Sequence, residues 1–150
     1  MLLTAMERTI VRFKQMATAT ALISTLTLVS GCSSAEYGIA ALDREATAQD
    51  RLPDVVVDES VNIDSVRKVA EQDQVAYFIG TMNDEEGYCA YAVVDSDFIG
   101  GCGRGNGQLI TVTPGGNTEL PQMTLVTDSY DSENLQRDNW VEVQTNILIR

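Results

Sequence analysis

Apolar and polar positions divide the chain into three stretches of different character. The first is an uncharged run from Met16 to Val29, preceded by Arg8, Arg12 and Lys14 and offset only by Glu7. A positive segment followed by a short apolar run is the pattern of an export signal. The run is rich in threonine and shorter than the about 20 apolar residues of a permanent membrane span. Met6 serves equally well as a start, because the same basic residues follow it. The second stretch, residues 33–50, is polar, alanine-rich and without clear periodicity, which predicts a flexible tether with at most a short helix over residues 40–48. From residue 51 onward, short β-branched and aromatic runs alternate with turn residues, the pattern of an all-β domain.

Pro53 marks the start of that domain, because it forces Leu52 into an extended state. Val55-Val56-Val57 predicts a first strand. Residues 65–70 fit either a helical stripe through Val66, Val69 and Ala70 or a strand, and we read a strand. Residues 75–80 (Val-Ala-Tyr-Phe-Ile-Gly) form the strongest strand signal and stop at a charged turn, residues 83–87. Residues 88–94 predict the next strand, with Cys89, Tyr91 and Val93 on one face and Ala90, Ala92 and Val94 on the other. Asp95-Ser96-Asp97 turns the chain and residues 98–103 return it. Strands are also predicted over 109–113, 120–127, 140–143 and 147–149, with Pro121 suggesting a sheet edge. Ser132 is placed to cap one helical turn ending at Arg137. Seven or eight short strands at close spacing predict a mainly β fold, a small antiparallel β-sandwich or open barrel with at most short helices.

The three cysteines change the picture. Cys32 ends the segment Leu28-Val29-Ser30-Gly31-Cys32, which has the form of a bacterial lipobox. The small residues Ser30 and Gly31 suit cleavage between Gly31 and Cys32, and the Cys32 thiol would then carry a diacylglyceryl group. One acyl chain anchors only marginally, at about 0.8 kcal/mol per buried methylene, whereas two or more hold a protein stably. A plain signal peptide and an uncleaved anchor are the alternatives. The expected organisation is a lipoprotein signal peptide over 1–31, a lipidated cysteine and flexible tether over 32–50, and a β-rich extracytoplasmic domain over 51–150. The expected location is the outer face of the cell membrane, with the lipid on Cys32 as the membrane contact.

Cys89 and Cys102 then remain as a pair, which predicts a disulfide. Its short loop gives it a worth of about 3 kcal/mol in the chain-entropy picture. Centring the hairpin on Asp95-Ser96 sets Cys89 directly opposite Cys102. A three-residue turn would set it opposite Gly103 unless a bulge at Gly100 or Gly101 restored the match. With no histidine and no CxxC, a two-cysteine metal site has little support.

Charge narrows the function classes. Three of the ten basic residues and one of the 22 acids precede Cys32, so the chain from Cys32 carries a net −14. That sign excludes the basic surface nucleic-acid binding requires and disfavours lying flat on anionic lipid. It admits a basic partner or cations, and it also simply keeps a surface protein soluble. The glycines from Gly100 to Gly107 lack the lysine and hydroxyl of a phosphate cradle and read as turn or bulge. Asp84, Glu85 and Glu86 would suit acid–base work or calcium, but a solvated turn accounts for them. Asp128, Asp131, Glu133 and Asn134 offer oxygen ligands at a spacing unlike an EF-hand loop. Tyr130 and Trp140 would serve a recognition patch, although core packing is the reading we adopt for Trp140. Without histidine there is no histidine-based triad, and no serine sits in a nucleophile elbow. No catalytic residue, metal or cofactor is predicted.

The lipobox, Asp50-Arg51-Leu52-Pro53, Ile63-Asp64-Ser65-Val66-Arg67, the spaced Cys89 and Gly101-Cys102-Gly103, and Tyr130-Asp131-Ser132 with Trp140 resemble a group of small, uncharacterised lipoproteins of actinobacteria. Members often carry a Pro-Asp-Gly turn where this chain has Thr127-Asp128-Ser129. The resemblance implies the location and a two-cysteine β-rich domain, and it transfers no catalytic residue. The function expected is a non-enzymatic binding or accessory module at the cell envelope, with an envelope protein as partner. The alternatives are an inhibitor of a basic lytic enzyme, such as a lysozyme or protease, and a carboxylate-dependent hydrolase.

Overall fold

A computed structural model of the chain describes residues 38–116 and 118–150. The expected signal segment, the Gly31–Cys32 cleavage point and the lipid site at Cys32 lie outside the described residues. The described part is built from eight strands in two antiparallel four-stranded sheets that do not close into a barrel. This is the mainly β, open architecture the strand pattern predicts.

The first sheet, in order β1-β2-β3-β4, contains β1 (Arg67–Gln72), β2 (Val75–Thr81), β3 (Tyr88–Val94) and β4 (Asp97–Gly103). The second, in order β5-β6-β8-β7, contains β5 (Gln108–Val112), β6 (Met123–Val126), β7 (Val141–Gln144) and β8 (Ile147–Ile149). The ambiguous segment after Ser65 is a strand, entered through a single 3-10 turn at Ile63–Ser65. The inter-sheet core holds Tyr77, Ile79, Ala90, Ala92, Leu125 and Ile147. The alternation read for β3 is present: Ala90 and Ala92 face this core, while Cys89, Tyr91 and Val93 join a second cluster on the opposite face with Phe78, Val61 and Val66. Behind the second sheet, Trp140 packs with Val126 and Leu148, flanked by Tyr130 and Leu135. Both sheets are therefore covered on both faces, which explains why β2, β3 and β6 read as nearly continuous apolar runs.

The β3–β4 hairpin turns at Asp95-Ser96, and Cys89 pairs with Cys102 in an unbroken register. The disulfide joins them, with Cα atoms 4.0 Å apart. No bulge is needed, so the turn-or-bulge reading of Gly100, Gly101 and Gly103 is corrected: all three lie inside β4. Gly100 is opposite Tyr91. A Cβ there would stand 2.1 Å from the tyrosine ring. Glycine is placed at this position so that the ring can lie across the strand.

Four further expectations are corrected. The flexible tether expected as far as Asp50 does not extend over residues 38–50. From Gly38 the chain is folded, with a short helix α1 (Ala40–Asp43), fully buried Ile39 and buried Leu42 in the inter-sheet core. The segment is short and mostly polar, so a 3.6-residue period never develops and the two anchoring residues give no pattern. Val55–Val57 form no strand but a turn and loop, with Val56 buried and Val57 81% exposed. Pro121 does not mark an edge. It precedes β6, which is an internal strand flanked by β5 and β8. Helix α2 (Glu133–Arg137) begins after Ser132 as predicted, but the cap is different: the Glu133 amide donates to Asp131 Oδ1 at 3.0 Å.

Candidate functional site

The β1–β2 turn consists of Asp73 and Gln74, both in the left-handed region at φ 52° and 69°. Such a two-residue turn follows the twist of the hairpin, and it puts Gln72 and Asp73 at one end of the sandwich. At the same end stand Val94, closing β3, Ile149 of β8, and the Glu119-Leu120-Pro121 segment that leads into β6. Thr118 holds that segment to the other sheet, its hydroxyl donating to Asp97 Oδ2 at 2.6 Å. Together these residues surround an open cavity of about 300 Å³, with Val75 and Tyr77 of β2 also in its wall.

Tyr77 is the buried polar residue of this cavity, at 1% exposure. Its hydroxyl makes no hydrogen bond to any described residue. No fully enclosed side-chain nitrogen or oxygen among the described residues lacks a partner. The Tyr77 hydroxyl therefore meets open space, which is the cavity. Burial and then the charge of Asp73 push the phenol above the usual tyrosine range, so it is neutral across physiological pH. The charged residues of the wall are Asp73 and Glu119, both exposed at the rim. Gln72 adds a neutral, exposed amide, and Val75, Val94, Leu120, Pro121 and Ile149 are apolar. The set consists of one neutral phenol, one amide, two rim carboxylates and an apolar body.

Two other polar clusters are already saturated. Asp50, 3% exposed, accepts from Arg44 at 2.7 and 2.5 Å, from the Thr47 amide and hydroxyl at 2.7 and 2.8 Å, and from the Lys68 amide at 2.8 Å. The Arg44 bond holds its carboxyl well below the usual carboxylate range, against the opposing effect of burial and with help from Thr47 and Lys68. Asp58 sits beside the disulfide and accepts from the Tyr91 hydroxyl at 2.8 Å. Burial raises the Asp58 pKa, but donors from Ser60 and Tyr91 outweigh it and the net shift is downward. Burial, then the Asp58 bond and charge, push Tyr91 far above the ordinary phenol range. Both clusters tie loops to the first sheet and leave no oxygen aimed at a ligand.

The carboxylates singled out in the sequence do not converge. Asp84 pairs with Arg104, with Glu86 3.9 Å from the same side chain, and all three acids of that turn are solvent-exposed. Asp128 accepts from the Ala40 amide at 2.8 Å and from the Asn146 amide side chain at 2.7 Å, fastening the N-terminal segment to the turn after β6. Asp131 and Asn134 serve α2, with Arg137 donating to Asn134 Oδ1 at 2.5 Å. Among the described residues, no three Cys, Asp or Glu side chains come together as metal ligands. Trp140 is buried, with the Arg150 guanidinium 5.1 Å over its ring.

The sequence reading missed Tyr77, Asp73 and Glu119 as a set. Tyr77 lies in the strongest strand, where an aromatic residue reads as core. The signal available was its polarity: it is the inward-facing aromatic residue of β2 with a hydroxyl to satisfy. Among the described residues, no helix is long and apolar enough to cross a membrane. Comparison with known proteins finds no matching family model, no similar curated protein and no similar solved structure.

Proposed function

We propose that this chain is a lipid-anchored extracytoplasmic lipoprotein whose β-sandwich is a non-enzymatic binding or accessory module at the cell envelope. The observation that carries the binding role is the cavity at the end of the sandwich. Its polar groups are a neutral buried phenol, the Gln72 amide and two solvated carboxylates, a set suited to recognition, with no nucleophile held against a base among these lining residues. The address rests on the basic segment, the apolar run and the lipobox at Cys32, together with the resemblance to small actinobacterial lipoproteins. The early start of the fold sharpens the picture. Residues 33–37 alone would separate a lipid on Cys32 from the folded Gly38, and at 3.3–3.6 Å per residue they reach at most about 20 Å. The module would work close to the membrane surface.

Chemical crosslinking in intact cells, capture of the protein and mass spectrometry test this reading. The expected result is acylated Cys32 and one envelope component recovered near one-to-one. An unmodified Cys32 on a protein free of the membrane fraction would overturn the address. Turnover of envelope substrates by the purified chain would overturn the non-enzymatic role. The net charge favours a second reading, an inhibitor that docks on a basic lytic enzyme by electrostatic steering. That reading predicts slowed lysozyme or protease activity, strongest at low salt.

A further inference from the structure

We infer that the cavity at the end of the sandwich is a binding site for a small organic ammonium ion, with Tyr77 Oη accepting a hydrogen bond from the ammonium group and Asp73 and Glu119 offsetting its charge. The inference rests on the binding-module reading above and names the ligand class of its site.

Three observations converge. First, a tyrosine hydroxyl on a side chain 1% exposed opens onto the cavity without a protein partner. A ligand that displaces water from such a group must supply a hydrogen bond in its place, which an ammonium donor does. Second, both charged residues of the wall are acids, and no lysine or arginine lines it. A carboxylate or phosphate ligand would face two like charges. A cation would be attracted by both. Third, Val75, Val94, Leu120, Pro121 and Ile149 give the walls an apolar character, which suits an alkyl or aryl body rather than a bare metal ion. The volume, about 300 Å³, lies at the lower end for small-molecule sites. The phenol is held neutral by burial and by Asp73, so its oxygen keeps the lone pairs an ammonium donor needs without introducing an anion into the apolar wall. The position of the site is also built. Thr118 bonded to Asp97 keeps the Glu119 segment against the first sheet, and the left-handed Asp73-Gln74 turn sets Asp73 at the rim.

The test uses the full chain in detergent micelles, titrated with n-pentylamine and followed by amide NMR. Uncharged n-pentanol and anionic valerate are the matched controls. n-Pentylamine is expected to shift the signals of Val75, Tyr77, Leu120 and Ile149 saturably, and to bind at least about tenfold more tightly than n-pentanol. Valerate should leave those signals in place. Affinity should fall as salt is raised, because the rim carboxylates are exposed. Tyr77→Phe should weaken the amine about tenfold. Asp73→Asn and Glu119→Gln, both at exposed positions that leave the fold intact, should each weaken it about threefold. Valerate or pentanol binding as tightly as the amine overturns the ligand class. Unchanged affinity in Tyr77→Phe overturns the role of the phenol. Should Tyr77→Phe not fold, undiminished binding by the doubly substituted Asp73→Asn, Glu119→Gln chain overturns the inference instead. No shift with any probe, beside recovery of an envelope partner by crosslinking, removes the ammonium site and leaves the module. Amine binding at Tyr77 in a chain without acylated Cys32 does the reverse: it keeps the site and removes the envelope address.

Discussion

Asp50 accepts five hydrogen bonds from three residues in two separate parts of the chain. Its removal strands the Lys68 and Thr47 donors and an arginine, which is the costly way to break a buried polar cluster. Asp50→Ala should lower unfolding stability by about 3 kcal/mol, measured by urea denaturation. Gly100 shows the opposite sensitivity, to added volume. A methyl there would meet the Tyr91 ring at 2.1 Å and the Ala90 carbonyl oxygen at 2.9 Å. The tyrosine cannot retreat without losing its bond to Asp58. Gly100→Ala should therefore cost about 2–3 kcal/mol, and a double cycle with Tyr91→Ala should recover most of the loss.

At the level of elements, the N-terminal segment belongs to the fold rather than to a linker. Asp128 accepts from the Ala40 amide, the Asp128 amide donates to the Gly38 carbonyl oxygen, and Asp50 bonds the Lys68 amide at the start of β1. The segment thus touches both sheets, with Ile39 as its fully buried anchor. Ile39→Ala should destabilise the domain by about 3 kcal/mol, with faster amide exchange in β1 as well as in the segment itself. Near-zero change in urea midpoint would restore the tether reading for these residues. The β-hairpins behave differently. Their registers follow from short turns and local pattern, and the predicted pairing of Cys89 with Cys102 is the observed one. The missed Val55–Val57 strand shows the limit of propensity. Those valines lie in a turn and loop, where the Val56 amide donates to the Pro53 carbonyl oxygen, Val56 is used for packing and Val57 is left in water.

For the molecule as a whole, the disulfide and the titratable core groups set the range of stability. Replacing both Cys89 and Cys102 by alanine should lower stability by about 3 kcal/mol in the chain-entropy picture, read from urea unfolding with and without reductant on the native chain. The pH dependence follows from four groups. Asp50 and Asp58 have folded pKa values below their ordinary ones, so the unfolded chain takes up protons first as pH falls. Their contribution is complete above the ordinary carboxylate range and is lost as pH drops through the folded values. Tyr77 and Tyr91 have raised values, so the unfolded chain ionises first as pH rises. Their contribution is complete below about pH 10 and is lost above it. Stability should be flat between about pH 5 and pH 10 and fall on both sides. Absorbance titration of the five tyrosines should show Tyr77 and Tyr91 ionising only with alkaline unfolding, and Tyr91→Phe should reduce the alkaline slope.

The sequence by itself determined the features that depend on local chemistry and short range: the β-rich class, the order and limits of most strands, the two faces of β3, and the position of the short helix after Ser132. The pairing of Cys89 and Cys102 was legible because two cysteines equidistant from a two-residue turn must meet in an antiparallel hairpin. Tertiary structure decided what depends on distant segments meeting. It placed Ile39 and Asp50 in the core region, where a polar, aperiodic segment had given no pattern, and it put β6 inside its sheet although a proline stands before it. It also assembled the cavity. The Asp73–Tyr77 stretch, Val94, Glu119 and Ile149 come from four separate pieces of chain. No spacing links these four pieces, because their proximity comes from two sheets stacking and not from the period of any one strand.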